Sequence, residues 1–226
     1  MNEFTNNPPR KVPIRRTDTE RVQVGDLYDG VRRYYDQNME LTVVKLMTGD
    51  CYFTVEPREM LVTILGSCIS VCLRDPETKI GGMNHILLPG ENNLKLQKGD
   101  PGYSTRFGAF AMEELINGML KLGASKNRME AKVFGGGNVI ESSTAIGTKN
   151  INFAKDFLIQ EKIPIVSEDV GGDTARRLHF FPETGKAMIR KLKRKEDLVI
   201  LEKEREYQER IKSKFEVKPD PEVELF

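Results

Sequence analysis

One cysteine, one histidine and one threonine carry the chemistry that this sequence can offer. Cys68 follows Gly66 and Ser67 at the end of an apolar run, Thr63 stands five residues before it, and His85 lies beyond the next turn. A free thiol ionises near about pH 8.5, and a neighbouring imidazolium lowers that value by several units. The compact Gly66-Ser67 pair leaves the backbone N–H groups of Ser67 and Cys68 able to approach a substrate carbonyl, so they are candidates for an oxyanion hole. The Thr63 hydroxyl is placed to orient His85, the third-member role in triad logic. Together these residues suit thiol-dependent acyl chemistry, with Cys68 as nucleophile and His85 as acid and base.

The pairing of Cys68 with His85 follows from strand register. Ile69-Ser70-Val71-Cys72-Leu73 alternates with period two, Asp75-Pro76-Glu77-Thr78 is turn chemistry, and Ile80 to Leu88 returns as a strand. If that turn joins an antiparallel hairpin, Arg74 faces Lys79, Leu73 faces Ile80 and Cys68 faces His85. Facing residues have Cβ atoms roughly 4.5–5.5 Å apart. A bulge at Gly81-Gly82 or an odd-numbered loop would put the two on opposite faces. The competing reading of Cys68 is a small buried hydrophobe. Cys72, on the same strand face, suits packing, with a disulfide to Cys68 as the alternative; Cys51 reads as structural. His179, in Leu178-His179-Phe180-Phe181, reads as a strand histidine. Gly135-Gly136-Gly137 is followed by no Lys-Ser/Thr, so the phosphate-loop spacing is absent.

The elements that must position these groups are strands and two principal helices. Leu41–Met47, Cys51–Val55 and Leu61–Leu65 read as strands, with Thr48-Gly49-Asp50 a turn. Ser104 or Thr105 can cap a helix running to about Leu122, with Phe107, Phe110, Ala111, Leu115 and Leu122 on its inner side and Gly123 as its stop. Ala131–Phe134 is a strand, Asn150 can cap a second helix carrying Ile151, Ala154 and Leu158 inward, and Pro164 ends it. Ile163–Val166 is a strand. Leu178–Phe181 and Ala187–Leu192 form a hairpin across Pro182-Glu183-Thr184-Gly185. Beyond Val199 a charged helix carries Glu206 and Arg210 at i,i+4 spacing. The pattern predicts a mixed α/β domain of layered sheets.

The bulk numbers exclude several classes. The 226 residues favour one domain with appended arms: a polar N-terminal extension over 1–40, a core over 41–198, and a charged helix with an acidic tail over 199–226. Lys and Arg total 35 against 34 for Asp and Glu, so no global field draws the chain to nucleic acid or into an anionic membrane. No apolar stretch approaches the ~20 residues that span a bilayer. The start, Met1 to Asn7, lacks the charged and apolar regions of a signal peptide, so a cytoplasmic protein with reduced thiols is expected. With two histidines and no Cys-x-x-Cys pair, the ligand set for a metal is poor, and no cofactor is expected. Arg10, Lys11, Arg15 and Arg16 read as a basic arm or a flexible tail, and Glu222 to Phe226 as a docking peptide or a disordered one.

The motifs resemble one family. Leu65-Gly66-Ser67-Cys68-Ile69-Ser70-Val71-Cys72-Leu73-Arg74-Asp75 and Gly81-Gly82-Met83-Asn84-His85-Ile86-Leu87-Leu88-Pro89 are similar to the chemoreceptor glutamine deamidase family, CheD. The likeness continues through Arg106-Phe107-Gly108, Glu130 to Gly136, Gly147-Thr148-Lys149-Asn150, Glu168 to Gly172 and Thr184-Gly185-Lys186. The resemblance implies a three-layer α/β/β/α sandwich and a triad of Cys68, His85 and Thr63. It departs from the pattern twice: some members place the threonine one residue earlier, where Val62 stands, and many have Tyr where Phe107 stands. The implied activity is hydrolysis of glutamine side chains in methyl-accepting chemotaxis receptors, through a thioester and without a cofactor. An open groove would suit such a substrate. The resemblance also implies an alternative role as an adaptor for a chemotaxis phosphatase, and the residues alone leave room for a thiol acyl transferase.

Overall fold

The computed structural model describes residues 32–88, 103–139, 144–192, 206, 207, 209 and 210. The basic N-terminal residues, Pro89 and the loop after it, and the acidic tail lie outside them. The described residues form two five-stranded mixed sheets with helices packed against them, the α/β architecture expected.

The first sheet runs in the order β1 (Arg32–Asp36), β2 (Leu41–Lys45), β4 (Glu59–Leu65), β9 (Arg176–Phe181), β10 (Lys186–Lys191). The second runs β3 (Cys51–Thr54), β6 (Gly81–Asn84), β5 (Ile69–Arg74), β7 (Glu130–Gly135), β8 (Ile165–Val170). Two pairings are parallel, β2 with β4 and β7 with β8; the other pairings are antiparallel. Helices α1 (Tyr103–Lys121) and α2 (Thr144–Gln160) pack on the second sheet. Glu206, Tyr207, Glu209 and Arg210 are helical, where the charged helix was expected.

Alternation sorts the strand residues into two cores. Ile69, Val71 and Leu73 of β5 face the helices, packing with Met112, Leu115, Met119, Ala154 and Leu158. Cys68 and Cys72 face the other way, into an inter-sheet core with Leu61, Leu65, Met83, Leu87, Phe134, Leu178, Phe180 and Tyr207. Full burial of each large aliphatic contributes about 1.5–3 kcal/mol, so these two faces fix which way β5 presents its side chains. Cys72 is thus a packing residue at this level, and none of the three cysteines is in a disulfide.

The β9–β10 hairpin matches expectation: Phe181 pairs with Lys186 across Pro182 to Gly185, and Gly185 takes a left-handed φ of 72°. The β5–β6 register does not. Arg74 faces Gly81, Leu73 faces Gly82 and Cys72 faces Met83, with no bulge among them. The connection is longer than a four-residue turn. Asp75 N–H donates to Ile80 O at 2.8 Å, Lys79 N–H donates back to Asp75 O, and Lys79 takes φ 60° to close the loop. The buried Asp75 carboxylate gathers the N–H groups of Glu77 and Ser125 and the guanidinium of Arg128. Cys68 therefore does not face His85; the strands are displaced by two positions. An even displacement keeps residues on the same sheet face, so both still point into the inter-sheet layer.

Helix α2 also begins earlier than expected. It starts at Thr144, so Asn150 lies inside the helix and is not its cap.

Candidate active site

The site forms where the chain crosses from one sheet to the other. β4 ends at Leu65 in the first sheet, β5 begins at Ile69 in the second, and Gly66-Ser67-Cys68 makes the crossing. Cys68 sits at the head of β5, fully buried in the inter-sheet core.

A run of glycines cradles this crossing. Gly136 N–H donates to Cys68 O at 2.6 Å and Gly137 N–H to Gly66 O at 2.7 Å. Gly135 and Gly136 take φ 115° and 64°, and a Cβ on Gly135 would lie 2.2 Å from Cys68 O. Only glycine allows both the conformation and the approach. Asn150 completes the cradle. Its Nδ2 donates to Ser67 O at 2.9 Å and its Oδ1 accepts Leu88 N–H at 2.9 Å, which ties the crossing to the segment after β6. Sequence reasoning missed both functions. The signals were there, in the glycine run that no phosphate spacing explained and in a buried asparagine amid helical residues.

His85 follows the last residue of β6, where the ladder changes partners. Ile69 and Ile86 exchange both backbone hydrogen bonds, but at Asn84 the side chain takes over. Val71 N–H donates to Asn84 Oδ1 at 3.0 Å, while Asn84 O accepts the Ser70 hydroxyl at 2.6 Å. His85 itself pairs on the other side: its N–H donates to Asp50 O and its carbonyl accepts Gly49 N–H. This fixes the imidazole's root between the β2–β3 turn and β5.

Thr63 comes from the opposite sheet. It lies between Leu61 and Leu65 on the inward face of β4, and its Oγ1 is 2.7 Å from His85 Nδ1. The same hydroxyl donates its one proton to Leu46 O at 2.9 Å. It must therefore accept from Nδ1–H, which leaves Nε2 with the lone pair. Burial holds this ring neutral, pushing its pKa down from 6.5 to about 3. A neutral imidazole with an accepting Nε2 is the form a general base needs.

The threonine–histidine contact expected from triad logic is thus present. Cys68 shares the inter-sheet layer with that pair. Ser67 is buried as well, its carbonyl held by Asn150. The expected open groove is not: Cys68 is 0% exposed and His85 4%. His179 projects from the outer face of β9, alternating with the inward Leu178 and Phe180, and plays no part in the cluster. Cys51 packs on the helix-side core, where burial and the nearby Glu114 and Asp50 carboxylates push its thiol up. Among the described residues no group of three or more His, Cys, Asp or Glu could hold a metal ion, and no helix is long and apolar enough to cross a membrane.

Comparison with known proteins bears on the family. The profile described as CheD chemotactic sensory transduction matches residues 87–191. A probable chemoreceptor glutamine deamidase CheD 1 from Shewanella oneidensis is 46% identical over 86% of this chain and 92% of its own length. One from Rhodopseudomonas palustris is 44% identical over 86% of this chain and 88% of its own, and one from Caulobacter is 48% identical over 65% and 76%. The likeness to a solved structure is slight: Bacillus licheniformis hypothetical protein YfiH matches 53% of this chain and 49% of that one, at 16% identity and a TM-score of 0.34. With identity at this level along nearly the whole length of its relatives, the chain belongs to the CheD family.

Proposed function

We propose that this protein is a protein-glutamine deamidase that converts glutamine side chains of methyl-accepting chemotaxis receptors to glutamate, releasing ammonia. The observation that carries the reading is the His85 imidazole, held neutral with its Nε2 lone pair directed by the Thr63–Leu46 chain, on the same inter-sheet face as Cys68. The names of the relatives supply the substrate.

In this reading His85 Nε2 takes the Cys68 proton and the thiolate attacks the glutamine amide carbon. Backbone N–H groups of Ser67 and Cys68 receive the oxyanion. The imidazolium gives its proton to the departing nitrogen, so ammonia leaves and a thioester remains. His85 then draws a proton from water as it attacks the thioester, giving glutamate and restoring the thiol. Atoms balance with water as the sole co-reactant, and no cofactor enters. The reaction needs a reduced thiol, which suits a cytoplasmic setting.

The test is peptide mass mapping of a purified receptor fragment incubated with the protein. Conversion of glutamine to glutamate should appear with the wild type and vanish with Cys68→Ala. Binding of the fragment, or of a chemotaxis phosphatase, with no conversion by the wild type would favour the adaptor role, and amine incorporation would favour a transferase.

A further inference from the structure

Thr63 satisfies one nitrogen of His85, and a second hydroxyl attends the other. Thr48, half-buried on the turn between β2 and β3, has its Oγ1 3.3 Å from His85 Nε2. The turn that carries it is well fixed. Asp50 Oδ2 accepts Met47 N–H at 2.7 Å, and Asp50 N–H donates to Met47 O at 3.0 Å. Immediately after Thr48 the turn is bonded to the histidine's own backbone, through Gly49 N–H to His85 O at 2.7 Å and His85 N–H to Asp50 O at 2.9 Å. Thr48 is thus registered to the imidazole by His85 itself.

Proton accounting gives that hydroxyl two roles. In the neutral ring Nδ1–H goes to Thr63, so Nε2 is an acceptor, and the Thr48 O–H donates to it until it rotates away as the Cys68 thiol delivers its proton. After Nε2 takes the thiol proton it becomes a donor, and the Thr48 oxygen can accept from it by rotating one torsion, because a hydroxyl both donates and accepts. The charged ring then has an oxygen at each N–H, Thr63 from one sheet and Thr48 from the turn. Burial works strongly against charge at this ring. An N–H of a buried cation left unsatisfied would add a further desolvation cost.

We propose that Thr48 is a positioning residue for the reaction: a rotatable hydroxyl whose oxygen accepts from His85 Nε2–H once the ring is charged, a stronger bond than the one it makes to the neutral ring, and so favours the imidazolium formed as Cys68 loses its proton. This rests on the deamidase reading and adds a residue to it. Thr48 acts through His85 and touches neither the thiol nor the amide in this account.

The test compares Thr48→Val, which keeps the shape and removes the hydroxyl, with Thr48→Ser, which keeps the hydroxyl. Two rates are read: alkylation of Cys68 by iodoacetamide, followed by peptide mass to separate it from Cys51 and Cys72, and kcat on a receptor fragment. In Thr48→Val both should fall about tenfold, the difference between a hydrogen bond to the charged ring and one to the neutral ring, with KM and Tm held. Thr48→Ser should restore both. Alkylation as fast as or faster than wild type in Thr48→Val, or no recovery in Thr48→Ser, overturns the role. Failure of the deamidase reading looks different: the wild type itself would convert no receptor glutamine, while the Cys68 alkylation rates of the Thr48 variants would still report on Thr48.

Discussion

At the residue scale, the site depends on one tautomer. Thr63 donates to Leu46 O and so can only accept from His85 Nδ1, which aims the lone pair of Nε2. Replacing Thr63 with valine leaves the Nδ1–H of a buried ring without an acceptor. That loss costs about 1–3 kcal/mol, so turnover should fall roughly ten- to a hundredfold. Folding should survive, since valine fills the same space between Leu61 and Leu65. Wild-type kcat in Thr63→Val would remove the threonine from the account and leave Cys68 and His85 standing. Thr63 was legible as a hydroxyl at the end of an apolar run. Its second bond, to Leu46 O, was not, because nothing in the residue types says that β2 lies parallel to β4.

At the scale of elements, the cradle around Gly66-Ser67-Cys68 holds the proposed nucleophile in place. Gly135→Ala would force a Cβ to within 2.2 Å of Cys68 O and hold alanine at φ 115°. The backbone conformation alone costs about 1–3 kcal/mol, and relieving the clash must shift Cys68. Urea unfolding should show that loss, and receptor conversion should fall further than stability does. Asn150→Ala removes two buried hydrogen bonds, to Ser67 O and Leu88 N–H, and should destabilise by about 1–3 kcal/mol for each group left unpaired. An undiminished urea midpoint in Asn150→Ala would contradict its role as a tie.

How far the elements could be read in advance varied with the local signal. The β9–β10 hairpin was legible because Pro182 and Gly185 bracket a turn of fixed length. The β5–β6 register was not. Asp75-Pro76-Glu77-Thr78 announces a turn, but Lys79 at φ 60° and the Asp75 anchor to Ser125 and Arg128 extend it. The displacement was even, so the face was right and the partner wrong. Asn150 looked like a helix cap because asparagine favours caps; its actual partners, Ser67 and Leu88, lie 83 and 62 residues away in sequence.

At the scale of the whole molecule, the proposed catalytic cluster spans the layer between the two sheets, and its burial would couple chemistry to stability. His85 is neutral in the folded protein down to about pH 3, whereas an unfolded chain protonates it below about 6.5. In that window the unfolded state binds the extra proton, so stability is full above 6.5 and is lost as pH falls. The slope from this ring is about 1.4 kcal/mol per pH unit. Asp50 and Glu114 are shifted the other way by burial, up to about 6 and about 7, and oppose this trend. Comparing wild type with His85→Gln isolates the histidine: the variant should gain stability relative to wild type as pH drops from 6.5 to 4. Parallel curves for the two proteins would mean that the ring is not held neutral by the fold. If Cys68 is the nucleophile proposed above, its full burial calls for an opening before a receptor glutamine reaches the thiol.

The central claim is that Cys68 forms the bond to the receptor glutamine. It is tested most directly by quenching the protein in acid during turnover on a receptor fragment and mapping its cysteine peptides by mass. A thioester adduct is expected on the Cys68 peptide and none on the peptides of Cys51 or Cys72. Continued conversion of receptor glutamine by Cys68→Ala, or an adduct on Cys51 or Cys72 alone, would contradict it.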